Sequence, residues 1–307
     1  MAIETVGLLS PGEMGHTIAG VLRGNGRRVL THLGGRSERT RALAAAAGIE
    51  DRPTLEALVR DADLLLCVLV PARAIAVAQE VAAVIRETGA DLLYVDCNAI
   101  APRTVRLVGD AILGAGGRFA DVGIIGPPPR QPGTTRFYAS GPGAAELAQL
   151  RAAGLDIRVI GDEIGQASGL KMCYGALTKG LQALGTELLV AARLMGLDGV
   201  LREEQRESIP DVLAWLERSL PPMPPKAHRW VGEMEEIATC FADLGLTPNI
   251  LAGAADIYRY VADTPLGRES PETRDQTRGM EGLTAALADE IREPTAPSAS
   301  PPYRRSG

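Results

Sequence analysis

Val6-Gly-Leu-Leu-Ser-Pro-Gly-Glu-Met-Gly15 decides the fold of this chain. The apolar run over 3–9 is cut by Ser10-Pro11-Gly12, and helical spacing follows over 15–23 until Gly24-Asn25-Gly26 stops it. A strand, a tight glycine turn and a helix, in that order, make the phosphate-binding end of a dinucleotide fold. The turn lets the backbone approach a pyrophosphate, and the N–H groups of the helix start face its charge. Gly12 and Gly15 hold the second and third positions of GxGxxG, with Ser10 at the first. Ser10, Pro11, Gly12, Glu13 and Met14 are the expected cofactor-binding turn.

Outward from that turn, strand and helix patterns alternate. A strand is expected over 28–33, a helix over 38–47, a buried apolar run over 64–70, a helix over 76–87 and a strand over 92–96. This βαβα rhythm predicts an α/β domain with a mostly parallel, doubly wound sheet. After Asp121 the sequence reads as a Gly/Pro-rich loop, a strand over 136–140, a helix over 144–153 and a strand over 157–160. From 166 to 194 there is neither proline nor strand alternation, and the spacing predicts one helix of about 40 Å. Further helices are expected over 209–219, 227–244, 248–263 and 278–291, with Thr247 as N-cap and Pro248 as first helical residue of the third. The expected organisation is a Rossmann-type NADP-binding domain over 1–164 and an all-α substrate and dimerisation domain over 165–292. A Pro/Ser-rich, disordered tail over 293–307 completes it.

Composition narrows the function. The 307 residues carry 32 basic against 38 acidic side chains, a net charge of −6, which argues against nucleic acid as the partner. The length favours two domains, and 46% hydrophobic residues suffice for both cores. The longest apolar run, Leu64 to Val70, is far too short to span a bilayer. The chain opens directly into a strand-like run with no charged leader, so a cytoplasmic protein is expected. Four scattered cysteines read as free thiols, and no histidine has a metal-spaced partner, so no metal site is expected. Lysine is scarce: Lys171, Lys179 and Lys226 are the only three.

The end of the second strand, Thr31-His-Leu-Gly-Gly-Arg-Ser-Glu-Arg39, bears on the cofactor. NAD sites place an acid there for the ribose hydroxyls. Here Arg36, Ser37 and Arg39 suit a 2′-phosphate instead, favouring NADP(H) over NAD(H). The alternative is ordinary surface arginines. His32 is placed near the adenine or serves structure.

Several landmarks in order carry a resemblance. Gly12-Glu-Met-Gly15 resembles the GxMG turn of the β-hydroxyacid dehydrogenase and 6-phosphogluconate dehydrogenase superfamily. Val68-Leu-Val-Pro71 is similar to its fourth-strand end, and Val95-Asp-Cys-Asn-Ala-Ile-Ala-Pro102 to its VD…SP segment. Asp121-Val-Gly-Ile-Ile-Gly126 resembles the DAPVSGG substrate loop, and Gly133-Thr-Thr-Arg-Phe-Tyr-Ala-Ser-Gly141 the strand after it. Ile164-Gly-Gln-Ala-Ser-Gly-Leu-Lys171 is similar to the start of the long interdomain helix. Arg229-Trp-Val-Gly-Glu-Met-Glu-Glu-Ile237 resembles the signature of a subgroup whose helical C-terminal domain has no assigned function.

The resemblance implies a homodimer through the helical domain, active sites between domains, and a small-molecule substrate. It implies Lys171 as the catalytic acid/base, Val70 and Pro71 beside the cofactor, Asn98 beside the nicotinamide ribose or the substrate, and Asp121, Ile124, Ile125 and Gly126 beside the substrate. Reduction of a carbonyl needs a proton on oxygen, and lysine delivers one far more readily than arginine. Two departures stand out: Ile125 replaces the family's serine, and Gly175 its asparagine. Both point to a more apolar pocket, with the Tyr174 hydroxyl as a replacement donor.

Lys179, on roughly the face of Lys171, binds an anionic substrate or pairs with a carboxylate. Arg229, Glu233 and Glu236 share one helix face, and Trp230, Met234 and Ile237 another. The second cluster is an interface, or Trp230 and Met234 wall the substrate pocket. The function read from all this is an NADP-dependent carbonyl reductase or hydroxyl dehydrogenase. The alternatives are an imine reductase-like enzyme and a non-catalytic NADP-binding dimeric regulator.

Overall fold

The computed structural model describes residues 3–292, so the expected tail over 293–307 lies outside the described residues. The chain forms two compact units, Met1–Cys173 and Tyr174–Gly307.

The first unit alternates β1 (Thr5–Leu9), α1 (Glu13–Gly24), β2 (Arg28–Thr31), α2 (Glu38–Ala46), β3 (Glu50–Asp51), α3 (Leu55–Asp61), β4 (Leu64–Cys67), α4 (Ala74–Thr88), β5 (Leu93–Asp96) and α5 (Pro102–Leu113), of which β3, α3 and α5 were not expected from the sequence. Then come β6 (Arg118–Ile125), β7 (Arg136–Ser140), α6 (Ala144–Leu147) and β8 (Asp156–Val159). One sheet joins them in the order β3-β2-β1-β4-β5-β6-β7-β8, parallel except where β6 meets β7. The order reverses at β1, between β2 and β4, which is where an open α/β sheet leaves its ligand crevice.

Residues alternate between two cores, one on each face. Val6, Leu8, Leu64, Leu66, Leu93 and Val95 join Ile18, Ala19 and Leu22 of α1. Leu65, Cys67 and Tyr94 join Leu58 of α3, Val81 of α4 and Val105 of α5. Because both faces are covered, β4 and β5 are buried throughout, and only Asp96 at the end of β5 carries a charge-bearing group.

The structure corrects four expectations here. Asp121 to Ile125 is not a loop but the buried end of β6; the Gly/Pro-rich loop starts at Gly126. The helix over 144–153 is α-helical only to Leu147 and continues as a 3-10 turn to Ala153. Pro248, not Thr247, is the N-cap of the helix beginning at Asn249, although the Thr247 hydroxyl accepts the Asn249 N–H. The last helix begins at Met280, after Gly279.

A single helix, α7 (Gln166–Leu194), starts in the first unit and runs on into the second. The second unit continues with α8 (Asp198–Ser208), α9 (Pro210–Ser219), α10 (Ala227–Asp243), α11 (Asn249–Asp263) and α12 (Met280–Arg292). Helix α8 escaped the sequence reading because it buries only Gln205 and so carries no apolar periodicity. Helices α10 and α11 meet at Trp230 and Tyr258, whose rings stand edge to face at 5.3 Å. Among the described residues no helix is long and apolar enough to cross a membrane, and no His/Cys/Asp/Glu cluster has metal-binding geometry.

Candidate active site

The turn after β1 is built for an anion. Gly12 caps α1 without a side-chain bond, and its N–H goes to the Ser10 carbonyl at 2.8 Å. The first N–H groups of a helix have no intrahelical acceptor. Gly15 is demanded by the protein itself, since a Cβ there would sit 2.5 Å from the Ser10 carbonyl oxygen. Gly12 is different: a Cβ there meets nothing within 4 Å. The space beside Gly12 and the uncapped helix start fit the phosphates of a dinucleotide. Ser10, Pro11, Gly12, Glu13 and Met14 therefore fall together at one helix start, as the spacing suggested, and Met14 also packs on the core.

The neighbouring strand ends supply the rest of the shelf. Arg36 follows β2, half-buried, and its charge is felt at Cys67 on the end of β4. The Ser37 hydroxyl caps α2 by accepting the Thr40 N–H at 3.3 Å. Arg39 is exposed on the first turn of α2. An acid that the sequence reading missed, Asp51 of β3, accepts the Leu33 N–H at 2.9 Å just past β2. Val70 is exposed after β4 and opens a short turn at Pro71.

Asn98, expected beside the cofactor, is held by the strand ends. It is buried, its carbonyl accepts the Leu69 N–H at 2.5 Å, and its amide donates to Asp96 at 2.8 Å. It clamps the ends of β4 and β5 together. The same clamp holds Asp96, which also accepts the Asn98 N–H at 2.9 Å. Burial pushes the Asp96 carboxyl up to about 7, against the Asn98 hydrogen bonds and with the push of Asp121, its partner in register on β6.

Lys171 sits early on α7, and its position follows from two residues of β6. Asp121 accepts the Gly165 and Ser168 N–H groups at 3.0 Å each and the Ser168 hydroxyl at 2.7 Å. The Ser140 hydroxyl donates to Asp121 at 3.2 Å and accepts the Ala167 N–H at 3.0 Å. Burial raises the Asp121 carboxyl, and these donors, Ser168 foremost, oppose the rise. Asp121 is wholly buried, so it anchors α7 and is not a substrate ligand, a correction to its sequence assignment.

Gly123 then sets the separation: a Cβ there would lie 2.6 Å from the Ala167 carbonyl oxygen and 3.1 Å from the Lys171 Cβ. The Lys171 ammonium donates to the Ile124 carbonyl. The Ile124 side chain belongs to the core, so its part in the site is its backbone oxygen, not an apolar pocket wall. Ile125 is also buried, and Gly126 is exposed at the strand end. Gly123, Ser140 and Ser168 escaped the sequence reading because their roles depend on register between distant segments.

The remaining candidates lie in the second unit. Tyr174 is exposed, three residues beyond Lys171 on α7. A Cβ at Gly175 would meet Ile237 Cδ1 at 3.1 Å, so α10 fills the space where the family's pattern has an asparagine. Lys179 pairs with Glu233, both nearly buried, and its ammonium stands 5.5 Å over the Trp230 ring. Arg229 reaches the same carboxylate at 3.3 Å. The carboxylate reading of Lys179 is thus the one seen. Met234 is wholly buried and Trp230 nearly so, which removes Met234 from the pocket wall.

Residues 5–176 match the family described as the NAD binding domain of 6-phosphogluconate dehydrogenase, and residues 192–261 one described as a domain of unknown function. An uncharacterized 28.5 kDa protein of Methanothermus fervidus, from a 7S RNA 5′ region, is 30% identical over 203 residues, 66% of this chain and 76% of that protein. A solved conserved protein of unknown function, described as structurally similar to 3-hydroxyacid dehydrogenases, is 31% identical with a TM-score of 0.65, covering 84% of this chain and 97% of that one. A Mycobacterium tuberculosis 3-hydroxyisobutyrate dehydrogenase with L-serine shares the fold at 18% identity, with a TM-score of 0.68 over 94% of this chain and 99% of that one.

The Asp96 environment sets a pH dependence. An aspartate in the unfolded chain ionises near its ordinary value, at about 3.9, whereas folded Asp96 holds its proton to about 7. Between those values the folded state binds a proton that the unfolded state has lost, so this group's stabilisation, complete below about pH 4, is lost as pH rises to about 7. Asp96→Asn should flatten the pH dependence of the unfolding free energy across that window, read by urea denaturation. An unchanged slope would show that Asp96 is ionised throughout.

Proposed function

Because this chain belongs to the family of the NAD binding domain of 6-phosphogluconate dehydrogenase, we propose that it is a cytoplasmic NADP-dependent oxidoreductase in which Lys171 moves the proton during reduction of a carbonyl or the reverse oxidation of a hydroxyl. The observation carrying this reading is the fixed place of the Lys171 amine. Its helix is tied to β6 through Asp121 and Gly123, and its ammonium donates to the Ile124 carbonyl at the strand's end. Reduction needs a hydride on carbon and a proton on oxygen. NADPH, when bound, supplies the hydride. A lysine ammonium carries three donors; one goes to Ile124 and fixes the group's direction. In this reading the ammonium delivers the proton to the carbonyl oxygen, and a neutral amine takes the proton back in the oxidation direction.

For the nucleotide, the open helix start at Gly12 to Met14 takes the pyrophosphate. Arg36 and Arg39 take the 2′-phosphate, and one oxygen of Asp51 is bound by the Leu33 N–H. The substrate reading is a small carbonyl compound with an apolar flank, since Ile125 offers no hydroxyl. Tyr174, exposed on the same helix, is the proposed second polar contact.

The dimer expectation rests on the outer face of α7 and α11. There Leu177, Leu184 and Ile250 stand exposed around a groove of about 310 Å³, floored by Gly180, Ala183, Gly253 and Ala254. Apolar knobs beside small-residue hollows support the proposal of a two-fold homodimer through this face.

Three measurements test this. In a screen of aldehydes, ketones and 3-hydroxy acids, Lys171→Ala should lower kcat by about 10²–10⁴-fold while NADPH affinity is kept; retained turnover would sink the lysine mechanism. Arg36→Ala should cost about 1–3 kcal/mol in NADPH binding and leave NADH binding alone, and equal wild-type affinity for both nucleotides would overturn the NADP assignment. Sedimentation should give twice the chain mass for the wild type and the single mass for Leu184→Glu with Ile250→Glu, and a monomeric wild type refutes the dimer.

A further inference from the structure

The loop after β6 carries a cation back to the phosphate turn. Its shape is fixed at both ends. Gly126 has φ +124°, and a Cβ there would lie 2.2 Å from the Thr134 carbonyl oxygen; Gly133 has φ +77°. Between them run Pro127, Pro128 and Pro129, then Arg130, Gln131 and Pro132. The Thr135 hydroxyl donates to the Pro127 carbonyl, the Thr134 hydroxyl to the Gln131 carbonyl at 2.8 Å, and the Arg130 N–H to the Pro128 carbonyl at 2.7 Å. Few backbone freedoms remain to such a proline-rich, cross-braced loop.

Arg130 projects from it so that its guanidinium lies 3.9 Å from the Glu13 carboxylate. Glu13 is the first residue of α1, beside the uncapped helix start. An acid there suits an empty helix end, because it answers the positive end of the helix dipole. The same acid repels a phosphate arriving at that place. Arg130 is two-thirds exposed and its contact with Glu13 is long, so the pair is loosely held and contributes little to folding. It keeps a mobile cation within reach of the turn.

We infer that Arg130 is the counter-cation of the dinucleotide's pyrophosphate, delivered across the turn by the loop that ends β6 and offsetting Glu13. The inference rests on the reading of the Gly12 turn as the nucleotide site. It makes the loop beside the substrate strand part of the nucleotide site. It also separates two arginine roles by ligand chemistry: the pyrophosphate is common to NADPH and NADH, and the 2′-phosphate is not.

That separation is the test. Fluorescence titrations with NADPH and with NADH are run on the wild type, Arg130→Ala and Glu13→Gln, with thermal melting to confirm folding. Arg130→Ala should weaken both nucleotides by the same factor, about tenfold, as expected for a lost charge-assisted contact. Glu13→Gln should tighten both, and the salt dependence of binding should be shallower in Arg130→Ala. Unchanged affinity in Arg130→Ala overturns the inference while leaving the nucleotide site intact. A loss confined to NADPH overturns it too, because it moves Arg130 to the 2′-phosphate. A wild type that binds neither nucleotide overturns both this inference and the cofactor assignment.

Discussion

The Asp121 carboxylate takes four hydrogen bonds, from the Gly165 and Ser168 N–H groups and the Ser168 and Ser140 hydroxyls. A buried charge is costly unless its lone pairs are met. Three of these donors come from Gly165 and Ser168 at the start of α7, so the charge also faces the positive end of that helix. The result is a rigid joint between the fourth residue of β6 and the start of the longest helix. Gly123, two residues along, then lets α7 close to a distance at which any side chain at 123 would collide with the Ala167 carbonyl. With the joint and the spacing set, Lys171 meets the Ile124 carbonyl.

Two long helices begin near the carboxyl ends of the parallel strands, and they treat their free N–H groups in opposite ways. The start of α7 is filled by the protein's own acceptors, Asp121 and Ser140. No side chain caps the start of α1, which stands beside open space at Gly12. Only the second is suited to an external anion. The clamp of Asn98 across Leu69 and Asp96 steadies the floor between them without offering groups to a ligand. The division of labour is electrostatic: buried carboxylates satisfy internal donors at β5 and β6, and the donors at β1 are left for phosphate.

What was legible in the sequence follows from what local patterns encode. The apolar runs of β1, β4 and β5 and the glycine turn identified a parallel sheet because burial on both faces leaves no polar alternation. The order of short motifs then led to Lys171. Helix α8 was invisible because its faces are nearly all polar. Asp121, Ile124 and Asn98 were read as ligand contacts because motif position says where a residue stands, not which way its side chain turns. In β6 the pleat sends Ile124 into the core and leaves only its carbonyl at the site. Gly123 and Ser140 were missed because the contacts that need them join segments far apart in the chain. Arg130 was missed because nothing local ties it to Glu13.

The departures at Ile125 and Gly175 have a shared physical consequence. At 175 the space is taken by Ile237, so the change from asparagine is coupled to the packing of α10 and is not an isolated loss. At 125 a buried isoleucine gives shape but no hydrogen bond. A site that recognises its substrate through polar groups rejects an analogue lacking them by large factors, whereas apolar contact discriminates by only about 1–3 kcal/mol per methylene. Orientation must then come from the protein side. A substrate held by few directed bonds reacts well only if the proton donor does not wander. The Asp121 joint, the Gly123 spacing and the Ile124 carbonyl supply that fixity to Lys171. If Lys171 is the proton donor, as proposed, the scaffold around it carries precision that the family's pattern divides between donor and substrate ligands.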